Sequence, residues 1–305
     1  MSFATSVKNE ITKQSLSKAE NLALLSAYFN TVGLIANNKI KLQTENAAIA
    51  RNVFKMIKDI YHITPLVKTR NQANFKNNLY IIEIYDLDGI ILEDLSLVID
   101  NKRTLVPRDY LVDDEDTIRA YLAGVFLAKG SINDPKTARY HLEIILDDES
   151  FAKFVSDKMN RFDLNAKIIK RNNHQVVYVK ESEKISDFLR IIYAHNAVMY
   201  YEDIRIYRDH KNMTNRLNNC EQANVDKIIK SSEELLSHIN IIKKSGSYDN
   251  LNDSLKITID YKVKYPDTSL AELAHIISVE TGKEVTKSGL NHRFRRIKEI
   301  ASKVE

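Results

Sequence analysis

Between Glu202 and Asn224 the chain reads E-D-I-R-I-Y-R-D-H-K-N-M-T-N-R-L-N-N-C-E-Q-A-N, and its Arg205, Arg208, Lys211, Asn212, Asn215, Arg216, Asn219 and Asn224 recur every three or four residues. On a helix this spacing gathers most of them on one broad polar face. Guanidinium, ammonium and amide groups donate to phosphate oxygens and to base edges, so the chemistry that suits such a face is contact with nucleic acid. A solvated helix face, with Glu202, Asp203 and Asp209 offsetting the charge, shows the same pattern and stands beside that reading.

A second cluster lies near the end of the chain. Leu290, Phe294 and Ile297 fall at i, i+4 and i+7 and predict the buried stripe of a helix over Lys287–Lys303. Lys287, Ser288, Asn291 and His292 then face away near its start, where a recognition helix reaches base edges, and Arg293, Arg295 and Arg296 suit phosphates. Two shorter helical patterns precede it: Ser254–Tyr265, stopped by Pro266, and Leu270–Ile277, with Ser269 and Glu272 forming a capping box. Three helices of this length predict a helix-turn-helix unit, against the alternative of a basic, solvent-facing helix in a small bundle. The eight histidines and the single cysteine, Cys220, show no spacing for metal ligation or nucleophilic catalysis, so no catalytic, metal or cofactor site is expected.

Composition bounds the rest. A chain of 305 residues with 44% hydrophobic content can bury a core and has room for about two domains. The formal net charge is only +4, so a nucleic-acid footprint has to arise from local clustering. Neither a long apolar run nor an N-terminal leader pattern is present, which leads to the expectation of a cytoplasmic protein without a membrane span.

The first two thirds of the chain carry a duplication. Ala23, Ala27 and Thr31 make a small-residue stripe at helical spacing, and Ala120, Gly124 and Ala128 repeat it at a constant offset of 97, which also pairs Leu25 with Leu122, Phe29 with Phe126 and Gly33 with Gly130. Strands are expected at Lys39–Thr44 and Tyr140–Leu146, helices at Asn46–Ile60 and Asp148–Phe162. Hairpins are expected at Leu66–Arg70 with Leu79–Tyr85 and at Ala166–Arg171 with Gln175–Lys180, and closing helices at Gly89–Ile99 and Ser182–Ala197. Small residues at i, i+4 and i+8 let two helix backbones approach, so the two stripes are expected to meet at a pseudo-two-fold axis. Another helix is expected over Gln222–Lys244, ended by Ser245-Gly246-Ser247.

Several of these motifs carry a resemblance. The 202–224 stretch is similar to the signature of the WhiA family of bacterial transcription regulators, through Glu202, Asp203, Arg208, Asn212, Asn215, Arg216, Asn219, Cys220, Glu221, Ala223 and Asn224. The opening M-S-F-A-T-S-V-K-N-E-I and the run K-S-G-L-N-H-R-F-R-R-I resemble that family too, while Ser278–Glu284 is longer than its counterpart. Residues 122–130, L-A-G-V-F-L-A-K-G, resemble the motif of the LAGLIDADG homing endonucleases, and residues 25–33 do so more loosely. The position that is a metal-holding acid in those nucleases is Val32 in the first copy and Lys129 in the second. A valine and an ammonium cannot hold the divalent ion that such hydrolysis requires, and Asp134 is the one displaced carboxylate nearby.

The expected fold is therefore α+β: a duplicated LAGLIDADG-like αββαββα domain over residues 1–220, with repeats at about 18–100 and 115–200. A connecting helix and linker follow over 221–249, and an all-α helix-turn-helix domain over 250–305. The resemblance implies a transcription regulator tied to cell division or sporulation, the C-terminal helices lead to the expectation of sequence-specific double-stranded DNA binding, and Val32 and Lys129 in place of the acids lead to the expectation of no nuclease activity. Its partners would be double-stranded DNA and another transcription regulator, and it would work as a monomer at the nucleoid. A second candidate contact surface comprises Arg205, Arg208, Lys211, Asn212, Asn215, Arg216 and Lys129. The alternatives are an active LAGLIDADG-type endonuclease and a ligand-sensing or protein-interaction module.

Overall fold

The computed structural model describes residues 2–36, 39–70, 78–99 and 102–304. They form two compact units, residues 1–208 and 209–305.

The first unit opens with helix α1 (Phe3–Ile11) and then runs α2 (Lys18–Val32), β1 (Leu34–Ala36), β2 (Lys39–Thr44), α3 (Ala47–Tyr61), β3 (Leu66–Arg70), β4 (Leu79–Tyr85) and α4 (Ile90–Asp94). A short hairpin, β5 (Val98–Ile99) with β6 (Lys102–Arg103), separates this set from its repeat. The repeat is α5 (Glu115–Lys129), β7 (Gly130–Ile132), β8 (Leu142–Leu146), α6 (Glu149–Asn160), β9 (Lys167–Arg171), β10 (His174–Val179) and α7 (Ser182–Ile191). The sheets have matching orders, β1-β2-β4-β3 and β7-β8-β10-β9, and all pairings are antiparallel.

The seam is made by α2 and α5, each 15 residues long and each starting on a capping box, Ser17 with Glu20 and Asp114 with Thr117. Such a cap contributes about 1 kcal/mol by satisfying amide groups at a helix start. Both helices are buried on most of their circumference, Ala23–Asn30 in α2 and Ala120–Leu127 in α5, as expected for helices sandwiched between other layers. Gly124 permits their contact, because a Cβ there would meet the Leu24 carbonyl oxygen at 2.3 Å. Amphipathic α3 and α6 bury Val53 and Ile57, and Val155 and Met159, against the core. Asn172, in the left-handed region at φ 55°, forms the tight turn between β9 and β10.

The structure corrects several expectations. The first closing helix is only the single turn Ile90–Asp94, because Ser26 Oγ donates to the Leu95 carbonyl at 2.7 Å and Ser96, at φ 52°, turns the chain away. The second closing helix stops at Ile191. Tyr193, at φ 62°, breaks it, and its hydroxyl donates to Glu20 Oε1 at 2.9 Å and to the Asp116 carbonyl at 3.2 Å. Helix α8 then runs unbroken over 50 residues, His195–Lys244.

The second unit contains the rest of α8, α9 (Asp253–Lys264), α10 (Leu270–Thr281) and α11 (Lys287–Val304). Leu235, Ile239 and Ile242 of α8 share one core with Leu255, Ile259, Leu273, Ile277, Leu290, Phe294 and Ile297. The expected divisions at 220 and 249 are therefore replaced by one after Arg208, since the segment read as a connector supplies part of the C-terminal core.

Candidate nucleic-acid interface

Thr286 directly precedes helix α11, and its Oγ1 caps the first turn by accepting from the Gly289 amide at 3.1 Å. Its approach is fixed by Ser278, whose hydroxyl donates to the Ala274 carbonyl at 2.8 Å and accepts from the Val285 amide at 2.8 Å. Gly282, at φ 66°, ends α10 in the left-handed region that favours glycine. The long Ser278–Glu284 stretch thus adds a turn to α10 and a tied connection, and leaves α11 anchored. The capping box at Ser269 and Glu272 forms as expected.

Leu290, Phe294, Ile297 and Ala301 bury one side of α11. Ser288, His292, Arg295 and Arg296 are exposed on the opposite side. Lys287, Asn291 and Lys298 follow one flank, with Arg295 at its border with the exposed side, and together they line a groove of about 580 Å³ with Lys227 and Ser231 of α8 and Ser269–Ala271 at the start of α10. Lys262 also lines it; its ammonium donates to the Pro266 carbonyl at 2.6 Å, and burial holds its pKa below the ordinary lysine value. Five cations and no carboxylate line this groove. Lys298 is neutralised in part by Glu234, Nζ to Oε1 at 2.7 Å, a hydrogen bond that lowers the carboxyl's pKa. Lys287, Arg295 and Lys227 form no ion pair among the described residues, so their charge faces solvent or a ligand.

The remaining site residues divide. Arg293 is turned toward α9, with Nη1 donating to Thr258 Oγ1 at 3.4 Å, and Arg296 pairs with Glu299 at 3.0 Å on the exposed face. Of the second candidate surface, Arg205 is held by Glu202 at 2.7 Å and Glu183 at 3.1 Å. Arg208 donates to the carbonyls of Pro135, Thr137 and Ala138 at 2.7, 2.6 and 3.2 Å and stacks over Tyr140 at 4.7 Å. Both arginines are thereby engaged inside the first unit. Lys211, Asn212, Asn215 and Arg216 belong to the run Asp209–Lys227, in which every residue is exposed. Lys129 ends α5 in the first unit, exposed, beside Val32.

The groove beside α11 contains residues that the sequence reading missed. Lys227, Lys262 and Lys298 lie on three different helices, and only the packing of those helices brings them together. Asp134, weighed as a displaced metal ligand, instead shapes its own loop: Oδ1 accepts from the Lys136 amide at 2.9 Å and from Tyr200 Oη at 3.4 Å. Among the described residues no group of three or more His, Cys, Asp or Glu is placed to hold a metal ion.

Three family descriptions match in register with these elements: a WhiA N-terminal LAGLIDADG-like domain over residues 15–98, a WhiA LAGLIDADG-like domain over 118–211, and a WhiA C-terminal HTH domain over 214–301. A Bacillus cytotoxicus protein named "Probable cell division protein WhiA" is 39% identical over 311 residues, covering 100% of this chain and 97% of its own. The chain belongs to the WhiA family. A Staphylococcus carnosus member with the same name is 37% identical over 309 residues, covering 100% of this chain and 98% of its own. The crystal structure of full-length DUF199/WhiA from Thermatoga maritima superposes with a TM-score of 0.61 at 22% identity, covering 99% of each chain. The WhiA fold, a duplicated LAGLIDADG-like domain with a helix-turn-helix domain, is thus shared along the whole chain. The HTH match begins at residue 214, which agrees with a C-terminal unit that includes the later part of α8.

Proposed function

We propose that this WhiA-family protein is a sequence-specific double-stranded DNA-binding transcription regulator acting in cell division or sporulation-type control. The observation that carries the reading is the groove along α11, where Lys287, Asn291 and Arg295 converge with Lys227 and the start of α10 and no carboxylate intervenes. In this reading α11 enters the major groove. Lys287, Ser288, Asn291 and His292 reach base edges, and Arg295 with Lys227 contacts phosphates. The names of the relatives support the link to cell division. The protein would act as a monomer at the nucleoid, with Lys211, Asn212, Asn215 and Arg216 of α8 as a further polar surface for DNA or for a second regulator.

The same reading gives the LAGLIDADG-like unit no nuclease activity. Phosphodiester hydrolysis of that type needs carboxylates at the ends of the seam helices, and Val32 and Lys129 stand there. Two assays test the proposal. Fluorescence anisotropy with labelled duplexes should show binding that weakens steeply as salt rises, as counterion release requires. Incubation of supercoiled DNA with the protein and magnesium or manganese should leave it intact. Absence of duplex binding at low salt, or nicking that disappears in Asp134→Ala, overturns the proposal.

A further inference from the structure

Helix α1 packs against α3, α5 and β7, burying Val7 and Ile11. The next residue after Val7 is a lysine. Lys8 is half-buried with its ammonium 5.7 Å from the centre of the Phe126 ring, and it has no carboxylate partner among the described residues. Burial lowers its pKa to about 8. Withdrawing an ammonium from water without a counter-charge is unfavourable, and a ring face compensates only in part. The position makes physical sense if the counter-charge arrives from outside the chain.

The surroundings supply a place for it. Lys8 opens into a groove of about 1090 Å³ that is bounded by α1, by the C-terminal ends of α2 and α5, and by the start of α3. Lys129 and Arg51 line the same groove, against the single carboxylate of Glu45, and Thr5 and Asn46 add neutral polar groups. Arg51 and Lys129 are exposed and Lys8 is half-buried. Three cations at graded depth suit a ligand with more than one negative charge, small enough to enter and reach Lys8. A space of this size matches a nucleotide-sized molecule.

We propose that this groove binds a phosphorylated small molecule carrying a di- or triphosphate, held by Lys8, Arg51 and Lys129. The site lies wholly within residues 2–129 and is independent of the helix-turn-helix reading. Isothermal titration of the full chain with sodium tripolyphosphate and with ATP tests it, beside a short duplex added as a competitor. Saturable binding is expected with a dissociation constant below about 1 mM, weakened about tenfold or more by Lys8→Met and by Lys129→Gln. Duplex affinity at the C-terminal unit should be unchanged in both variants. Lys129 is exposed, so its variant keeps the test valid if Lys8→Met fails to fold. No saturable heat up to about 5 mM of either probe, or equal affinity in the variants, overturns the proposal. Loss of duplex binding in the variants, without tripolyphosphate binding to the parent, assigns the groove to DNA and overturns it as well.

Discussion

Gly124 of α5 lies directly against the backbone of Leu24 in α2, so near that a Cβ would stand 2.3 Å from the Leu24 carbonyl oxygen and 2.8 Å from Ala27 Cβ. The obstacle is helix backbone, which cannot swing aside as a flexible side chain would. Gly124→Ala should therefore push the seam apart and destabilise the first unit by about 1–3 kcal/mol, and Gly124→Val by more. Urea denaturation followed by circular dichroism measures this, and unchanged stability in both variants contradicts the seam geometry.

Arg208 belongs to the family signature, yet in the structure it clamps the loop 135–138 through three carbonyl oxygens. A lysine ammonium lacks the planar, two-nitrogen fork from which these three bonds are made. Arg208→Lys should cost about 2 kcal/mol and speed amide exchange in residues 135–140, while leaving duplex affinity of the folded protein unchanged. Weaker DNA binding with undisturbed loop protection would return Arg208 to the nucleic-acid surface.

Lys227 reaches the α11 groove from α8 and has no ion partner among the described residues. As a phosphate contact it should act on every sequence alike. Lys227→Ala is expected to weaken specific and random duplexes by similar factors and to reduce the slope of log affinity against log salt by about one. A selective loss on one sequence would contradict this role.

Lys8 gives a pH signature. Its folded pKa of about 8 lies below the ordinary 10.5, so between those values the unfolded chain holds a proton that the folded chain has released. Stability then rises with pH across that window, and the burial penalty is fully present below about 8. Lys8→Met should raise the melting temperature near neutral pH and flatten the alkaline rise relative to the parent. Parallel profiles for the two proteins would refute the burial of that charge.

Much of this architecture could be read from periodicity. The constant offset of 97 predicted α2 and α5, and the structure gives them equal length and the same Gly33 and Gly130 boundaries. Strands β1 and β7 are counted in the αββαββα pattern, but their residues could not be bounded because three residues directly after a helix show no alternation. Helix α1 was seen only as a family-like opening, though Val7 and Ile11 give it a buried side. The absence of any Gly or Pro from His195 to Lys244 was the signal for one continuous helix, masked by a polar middle with no apolar face to follow. On α11 the buried and exposed sides were legible from Leu290, Phe294 and Ile297. The destinations of Arg293, at Thr258, and of Lys298, at Glu234, depend on residues 35 and 64 positions away and follow only from tertiary packing.

If α11 selects the DNA sequence, a substitution on its groove-lining flank should change the preferred motif. Repeated selection of bound duplexes from a random library tests it most directly, with the full-length parent and with full-length Asn291→Ala compared at one salt concentration. The parent should enrich a defined motif, and the variant should enrich the same motif with preference relaxed at one or two adjacent positions, a loss of about 1–3 kcal/mol of discrimination. An identical motif from both proteins, or no enriched motif from the parent, would rule out sequence readout by Asn291 of α11.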